Sequence, residues 1–369
     1  MAKLGVAWSR GRDAVKTRAA LRRWSRHANT APARVEVLVY FGSGVQYLYQ
    51  LRDWLQPLET LAQQTTVAIA VRDPRVAVQL QPQTSLPVVL TRWLLDVDAV
   101  MTKNNPRVIL YVNQNVFNFD LLAYAAPSHV FLSHGESDKV YMVSNQAKAY
   151  DKTFVAGQAA VDRYKAALHD FDTNAKLEVI GRPQLSIAQN PPADLPHTDR
   201  KTVVYAPTTE GSGEFMEYGS LASHGVRLVE QLITEYRVIF RPHPQAGRRL
   251  HSHATAKDAI STLLTPPHYV DTTPRFGWQE QVADALVCDI SAVAIDWLPT
   301  GKPLVVTKPI SRAPILDQGL LSDIALLPPD GDVLQALDEV DTAKLHKWAD
   351  YYFAPGDVST FVDAVLRLR

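Results

Sequence analysis

The chain of 369 residues carries 38 basic and 38 acidic side chains, is 46% hydrophobic and has one cysteine, Cys288. This balance excludes a disordered chain and a bulk polyanion binder, and a lone cysteine excludes an intrachain disulfide or a cysteine-built zinc site. The length suits two domains better than one core, and neither a secretory signal nor about 18 consecutive apolar residues for a membrane span can be found, so a cytosolic or peripheral protein is expected.

Residues 1–34 stand apart by charge. Lys3, Arg10, Arg12, Lys16, Arg18, Arg22, Arg23, Arg26 and Arg34 face a single acid, Asp13, with Trp8, Val15, Leu21 and Trp24 between them. Two readings remain open here. One is an amphipathic segment on anionic lipid, where each cation contributes on the order of 1 kcal/mol. The other is a solvated helix or basic arm, because the apolar stripe is ragged. No nucleic-acid partner is expected.

From Val35 onward short apolar runs alternate with helical periodicity, the pattern of a parallel sheet covered by helices. "VEVLVYF" (35–41) reads as the first strand, followed by the turn Gly42-Ser43-Gly44 and one helix over 46–64. "VAIAV", "LPVVL", "VILYVN", "VFLSHG", "TFVAG" and "LEVIG" supply further strands up to Gly181. The proline-rich, aperiodic stretch 182–201 reads as a linker between a unit at 35–181 and a second at 202–345. The second alternation comprises "TVVYAPT", a helix near 222–235, "YRVIF", a helix near 255–264, "ALVCD", a helix opening at Ser291, "PLVVT" and "IALLP", with closing helices over 346–369. The fold class is therefore α/β, with two Rossmann-like doubly wound domains and an intervening cleft.

Three loops of the second unit follow strands and share one sheet edge, where open α/β sheets bind ligands. They are "APTTEGSG", "RPHP" (241–244) and "DISAV" (289–293). Ser291 suits a helix N-cap, and a helix start with unpaired N–H groups accepts phosphate. Arg241 and His243 beside it would complete a pyrophosphate pocket. In the first unit "FLSHGESDK" places His134 at a strand end, next to Gly135, which permits close backbone approach. The near-neutral pKa of an imidazole suits His134 to general-base work, and Lys139 follows five residues on. A turn histidine, a structural cap and a hydrogen-bonded core histidine are the plain alternatives for His243, Ser291 and His134. "HSH" (251–253) reads as a solvated loop rather than a metal site. No metal or cofactor is required on this reading, and a divalent metal is optional.

Taken in order, "HGESDK" (134–139), "GRP" (181–183), "YAPT" (205–208), "RPHP" (241–244), "DISAVAIDWLPTGKP" (289–303) and "PGD" (355–357) resemble the motifs of the CDP-glycerol glycerophosphotransferase family, the teichoic-acid polymerases and primases. The resemblance implies a GT-B fold with a nucleotide-donor domain at 202–345 and an acceptor domain at 35–181. It implies transfer of a polyol phosphate, glycerol phosphate foremost, from a CDP-activated donor to a hydroxyl of a lipid-linked or polymeric glycan, with release of CMP. Attachment to the cytoplasmic face of the membrane is part of the same implication. His134, His243 and Arg241 become the expected catalytic residues. Ser291, Ala292, Asp289, Thr208 and Lys139 become expected donor-phosphate contacts, with Gly135, Glu136, Arg182 and Asp296 as further site residues. Glu136 departs from the family's threonine, Ser137 and Asp138 from its Pro-Leu, and Ala292 from its second serine. These departures leave the donor's polyol open and permit a related transfer, including that of a sugar by a glycosyltransferase using a nucleotide sugar; a non-catalytic nucleotide-binding protein on the same fold is a separate alternative.

Overall fold

The structure, a computed structural model, describes residues 2–24, 34–316 and 318–369, with residues 2–12 described by their backbone alone. Seven strands form the first sheet: β1 (Val37–Phe41), β2 (Val67–Val71), β3 (Val88–Leu90), β4 (Val108–Tyr111), β5 (Ser128–Phe131), β6 (Lys152–Val155) and β7 (Leu177–Val179). Five form the second: β8 (Thr202–Ala206), β9 (Arg237–Phe240), β10 (Tyr269–Val270), β11 (Ala285–Cys288) and β12 (Leu304–Val306). Every pairing is parallel. β1, β2, β4, β8, β9 and β11 are buried on both faces, which is why they read as unbroken apolar runs rather than alternating ones.

The strand orders are β3-β2-β1-β4-β5-β6-β7 and β10-β9-β8-β11-β12. Each order reverses once, between β1 and β4 and between β8 and β11. At such switch points the loops leaving adjacent strands diverge and open a crevice at the carboxyl edge. The architecture is α/β and GT-B-like.

Several expectations need correction. The helix expected over 46–64 is a 3₁₀ turn (Val45–Tyr47) and two short helices (Leu48–Arg52, Leu55–Leu61). The strand β10 went unread because only two residues pair. "IALLP" contributes a single bridge, Thr307 to Leu327. His251 opens a helix (His251–Leu263) instead of lying in a loop, and buried His253 faces Glu217 at 3.7 Å.

The "GRP" and "PGD" motifs meet backbone to backbone. Gly181 has φ +74°, and a Cβ there would lie 2.9 Å from Ala354 O and from Gly356 Cα, so only glycine fits. Asp357 caps the last helix (Val358–Leu366) by accepting from the Ser359 and Thr360 amides. That helix packs Phe361, Val362 and Val365 into the core of the first unit, alongside Val39, Leu58 and Leu110. The chain therefore closes by returning to where it began.

The basic segment begins as helix α1 (Ala2–Trp24), which packs against the helix Pro74–Leu80. Trp24 is buried in the first unit's core, and Asp13 pairs with Arg75 at 3.1 Å. Residues 1 and 25–33 of that segment lie outside the described residues. Among the described residues no helix is long and apolar enough to cross a membrane.

Candidate active site

The carboxyl edges of the two sheets face one another across a cleft of about 700 Å³, lined by loops that leave β1, β4, β5, β8, β9 and β11. That volume suits a nucleotide-sized ligand. His134, Gly135, Lys139, Arg182, Thr208, Arg241, His243, Ser291, Ala292 and Asp296 all line it. Asp289 and Glu136 do not.

His134 follows Ser133, a non-glycine residue held at φ +59°. Such a conformation persists only where surroundings enforce it, and Trp54 does so by donating its indole N–H to the Ser133 carbonyl at 2.7 Å. The Gln50 amide nitrogen approaches His134 Nε2 at 3.1 Å. Asn113 Nδ2 donates to Gln50 Oε1 at 2.6 Å, which turns the Gln50 NH₂ toward the imidazole. Nε2 is therefore an acceptor and Nδ1 carries the proton. Burial, with the Arg182 charge adding to it, lowers the His134 pKa to about 4, so the ring is neutral at pH 7.

His243 stands opposite. Its Nδ1 accepts from the Gln245 amide at 3.1 Å, leaving Nε2–H as a donor. Burial, then the charge of Lys139 and more weakly that of Arg241, lower its pKa to about 3. Tyr49 packs edge-on against both imidazoles, with centroids 5.3 Å from His243 and 6.4 Å from His134.

Lys139 is only 7% exposed, donates from Nζ to Thr208 Oγ1 at 2.9 Å, and lies over the Tyr218 ring at 5.4 Å. It forms no ion pair among the described residues. Burial lowers its pKa to about 8, against the raising effect of Asp289 and Glu217. Nearby, Ser291 occupies the N-cap position of the helix Ala292–Trp297, yet its hydroxyl makes no capping bond and is buried without a protein partner. The expected side-chain cap is absent. Ala292 packs beside Gly135, where an added Cβ would come within 3.1 Å of the Ala292 Cβ.

Five expected site residues have structural employment. Arg241 is clamped from Nη1 to the fully buried Asp271 carboxylate and to Thr273 Oγ1 at 3.1 Å. Asp289, 0% exposed, accepts from the Thr208 amide at 2.6 Å, the Ser220 amide at 3.1 Å and Thr307 Oγ1 at 2.6 Å. It ties the loops after β8 and β12 together instead of touching the cleft. Glu136 pairs with Arg163 at 2.9 Å, and Asp138 accepts from Tyr352 O–H at 2.5 Å. Both acids of the departed motif therefore point away from the cleft and brace the loop that presents Lys139. Asp296 pairs with Arg182 at 3.2 Å, and Arg182 also reaches the His134 carbonyl at 3.4 Å.

Sequence reading missed Tyr49, Gln50, Asp53, Asn113, Asn115, Arg248, Arg249 and Phe276, all lining the cleft. Ser43, read only as part of a tight turn, is there too. Asn113 and Asn115 carried the signal of a position just past a strand's carboxyl end, whereas Tyr49 and Gln50 lie on a helix, Asp53 caps it, and Arg248, Arg249 and Phe276 stand six to nine residues past their strands. Among the described residues no group of three metal-ligating side chains gathers.

Residues 189–336, which contain β8 to β12 with the "YAPT", "RPHP" and "DISAV" loops, match the model of the family CDP-Glycerol:Poly(glycerophosphate) glycerophosphotransferase. Among curated proteins no relative matches. Among solved structures, the wall teichoic acid polymerase TagF, soaked with CDPG, aligns over 92% of this chain and 90% of its own at 14% identity and TM-score 0.58. The S. aureus MnaA–UDP co-structure aligns over 90% and 97% at 11% identity and TM-score 0.58. A glycosyltransferase from Rickettsia africae aligns over 91% and 98% at 12% identity and TM-score 0.53. At such identities the structural likeness speaks for the fold. With the family match over residues 189–336 it bears out the resemblance to CDP-glycerol glycerophosphotransferase-like enzymes that the motifs carry.

Proposed function

We propose that the enzyme transfers glycerol phosphate from CDP-glycerol to a hydroxyl of a growing cell-surface polymer or its lipid-linked primer, in the manner of teichoic acid synthesis, and releases CMP. One observation carries the anionic-donor reading. Lys139 is a buried ammonium that donates to a hydroxyl and lies over the Tyr218 ring but has no ion-pair partner among the described residues, in a cleft that also holds the unpartnered Ser291 hydroxyl. An isolated buried cation is costly, and a bound diphosphate offsets that cost.

In this scheme the acceptor oxygen attacks the phosphorus that bears the glycerol. The bond from that phosphorus to the bridging oxygen breaks, and CMP leaves with the electron pair. The acceptor's proton passes to His134, whose accepting Nε2 is available to a hydroxyl once Gln50 yields. Lys139, the Nε2–H of His243, the Ser291 hydroxyl and the amides around Ala292 stabilise charge on the phosphoryl and bridging oxygens. Preorganised donors of this kind contribute on the order of 3 kcal/mol each in the transition state. Arg241 acts less directly: its clamp on Asp271 fixes the loop that carries His243. No step calls for a metal.

Exposed Lys16, Arg18, Arg22 and Arg23 on α1 support contact with an anionic inner membrane face. Glu136 faces Arg163, so its departure from the family's threonine does not bear on the donor. The test is His134→Ala. Turnover of CDP-glycerol should fall steeply while donor affinity, read by calorimetry, stays near that of the parent. Parent-like turnover would remove His134 from the role of base.

A further inference from the structure

Beside His134 the first unit lines the cleft with neutral hydrogen-bonding groups. Ser43 is 5% exposed, Gln50 7% and Asn113 4%, and all three face the cleft. They come from three elements that the β1/β4 switch point brings together: the loop after β1, the helix Leu48–Arg52 and the loop after β4. Asn113 Nδ2 donates to Ser43 Oγ at 3.1 Å and to Gln50 Oε1 at 2.6 Å, and Asn115 Nδ2 donates to Ser43 Oγ at 2.7 Å. The arrangement is one-sided. Among the described residues, Asn113 Oδ1 accepts nothing and the Ser43 O–H donates to nothing, so one acceptor and one donor remain in the cleft, linked to the imidazole through Gln50. Gln50 continues the chain to His134 Nε2.

A phosphate needs donors and a cation, and this cluster brings no cation. A hydroxyl both donates and accepts, which matches an unused acceptor paired with an unused donor. We propose that Ser43, Asn113 and Asn115 form the subsite for the acceptor's terminal hydroxyls, so that the group presented to His134 is a neutral polyol or sugar end rather than a phosphate-bearing one. The inference rests on the transferase reading above and names the acceptor chemistry of that site. Gln50 is its positioning residue: it holds the Nδ1–H form of the ring until a hydroxyl takes its place. The anion-binding groups are elsewhere in the cleft, on His243 and the loops of the second unit and on Lys139, which reaches from the first unit to Thr208 of the second.

Saturation-transfer NMR on the full-length protein tests this, with glycerol, ribitol, methyl α-glucopyranoside and inorganic phosphate as probes. At least one of the three neutral probes should bind. Its signal should fall about fivefold or more in Ser43→Ala and in Asn113→Leu, which remove the free donor and the free acceptor respectively, the effect of a lost hydrogen bond. The phosphate signal and the affinity for CMP, read by calorimetry, should stay within about twofold in both variants. The subsite is overturned if no neutral probe binds, if binding survives both substitutions, or if the phosphate signal falls with them. CMP binding by the parent protein is read separately. Its absence would remove the nucleotide-donor reading, whatever the neutral probes do.

Discussion

Replacing Lys139 with methionine removes the charge while keeping most of the volume, and the structure predicts opposite effects on the free and donor-bound enzyme. Burial takes the ammonium from 10.5 to about 8, so holding it charged destabilises the folded state by about 3 kcal/mol at neutral pH. For a lysine whose folded pKa is lowered, this penalty is fully present below about pH 8 and fades as pH rises toward 10.5. Methionine abolishes it and loses the hydrogen bond to Thr208, worth about 1 kcal/mol. The free Lys139→Met protein should therefore unfold with about 2 kcal/mol more free energy than the parent. With donor the sign reverses. A unit charge about 3 Å from a phosphate oxygen gives roughly 5 kcal/mol at an effective dielectric of 20, of which a charged hydrogen bond retains about 2 to 3 kcal/mol. Affinity for CDP-glycerol should fall about 30- to 150-fold. Urea denaturation and titration calorimetry at pH 7 read both quantities. A variant with parent-like donor affinity, or with lower stability in the free state, would refute the argument that Lys139 is an ammonium awaiting an anion.

Three other outcomes follow from the same geometry. His134 must be neutral to accept a proton and Lys139 charged to hold the donor, so kcat/KM should persist down to about pH 4 and decline above about pH 8; an acid limb near 6.5 would contradict the burial of His134. Arg241→Ala strands the Asp271 carboxylate, 0% exposed, and should cost about 3 to 5 kcal/mol of stability together with donor affinity; unchanged denaturation would deny the clamp. Reversing Lys16 and Arg18 to glutamate on the exposed side of α1 should lower recovery on vesicles containing phosphatidylglycerol in a flotation assay, and equal recovery would count against membrane contact through this helix.

The parallel α/β character was legible because strands buried on both faces must be apolar throughout, as in "VAIAV" and "TVVYA". The helix over 46–64 was misread because its apolar spacing continues through Asp53 and Trp54, where the chain turns to bring Asp53 to the cleft and the Trp54 indole to Ser133. Local periodicity cannot register such a break. Convergence of the motif loops was legible from their position after strands. The identity of each loop's partner was not. Asp289 and Ser291 are two residues apart, yet one is a buried brace and the other an unpartnered hydroxyl on the cleft. Arg241 read as a free cation because Asp271, thirty residues on, directly follows a strand too short to announce itself. The polar groups around His134 escaped notice because Ser43 read as a turn residue between two glycines, Gln50 as one face of a helix and Asn113 as the end of a strand.

The central claim is that the cleft holds a cytidine diphosphate donor and breaks it at the phosphorus that bears the polyol. Incubating the pure protein with CDP-glycerol, CDP-ribitol and UDP-sugars, together with a hydroxyl acceptor, and identifying the nucleotide released tests it directly. The account predicts CMP, formed from a CDP-polyol. Release of CDP or UDP would place the attack at carbon and contradict it, as would failure of every donor to bind.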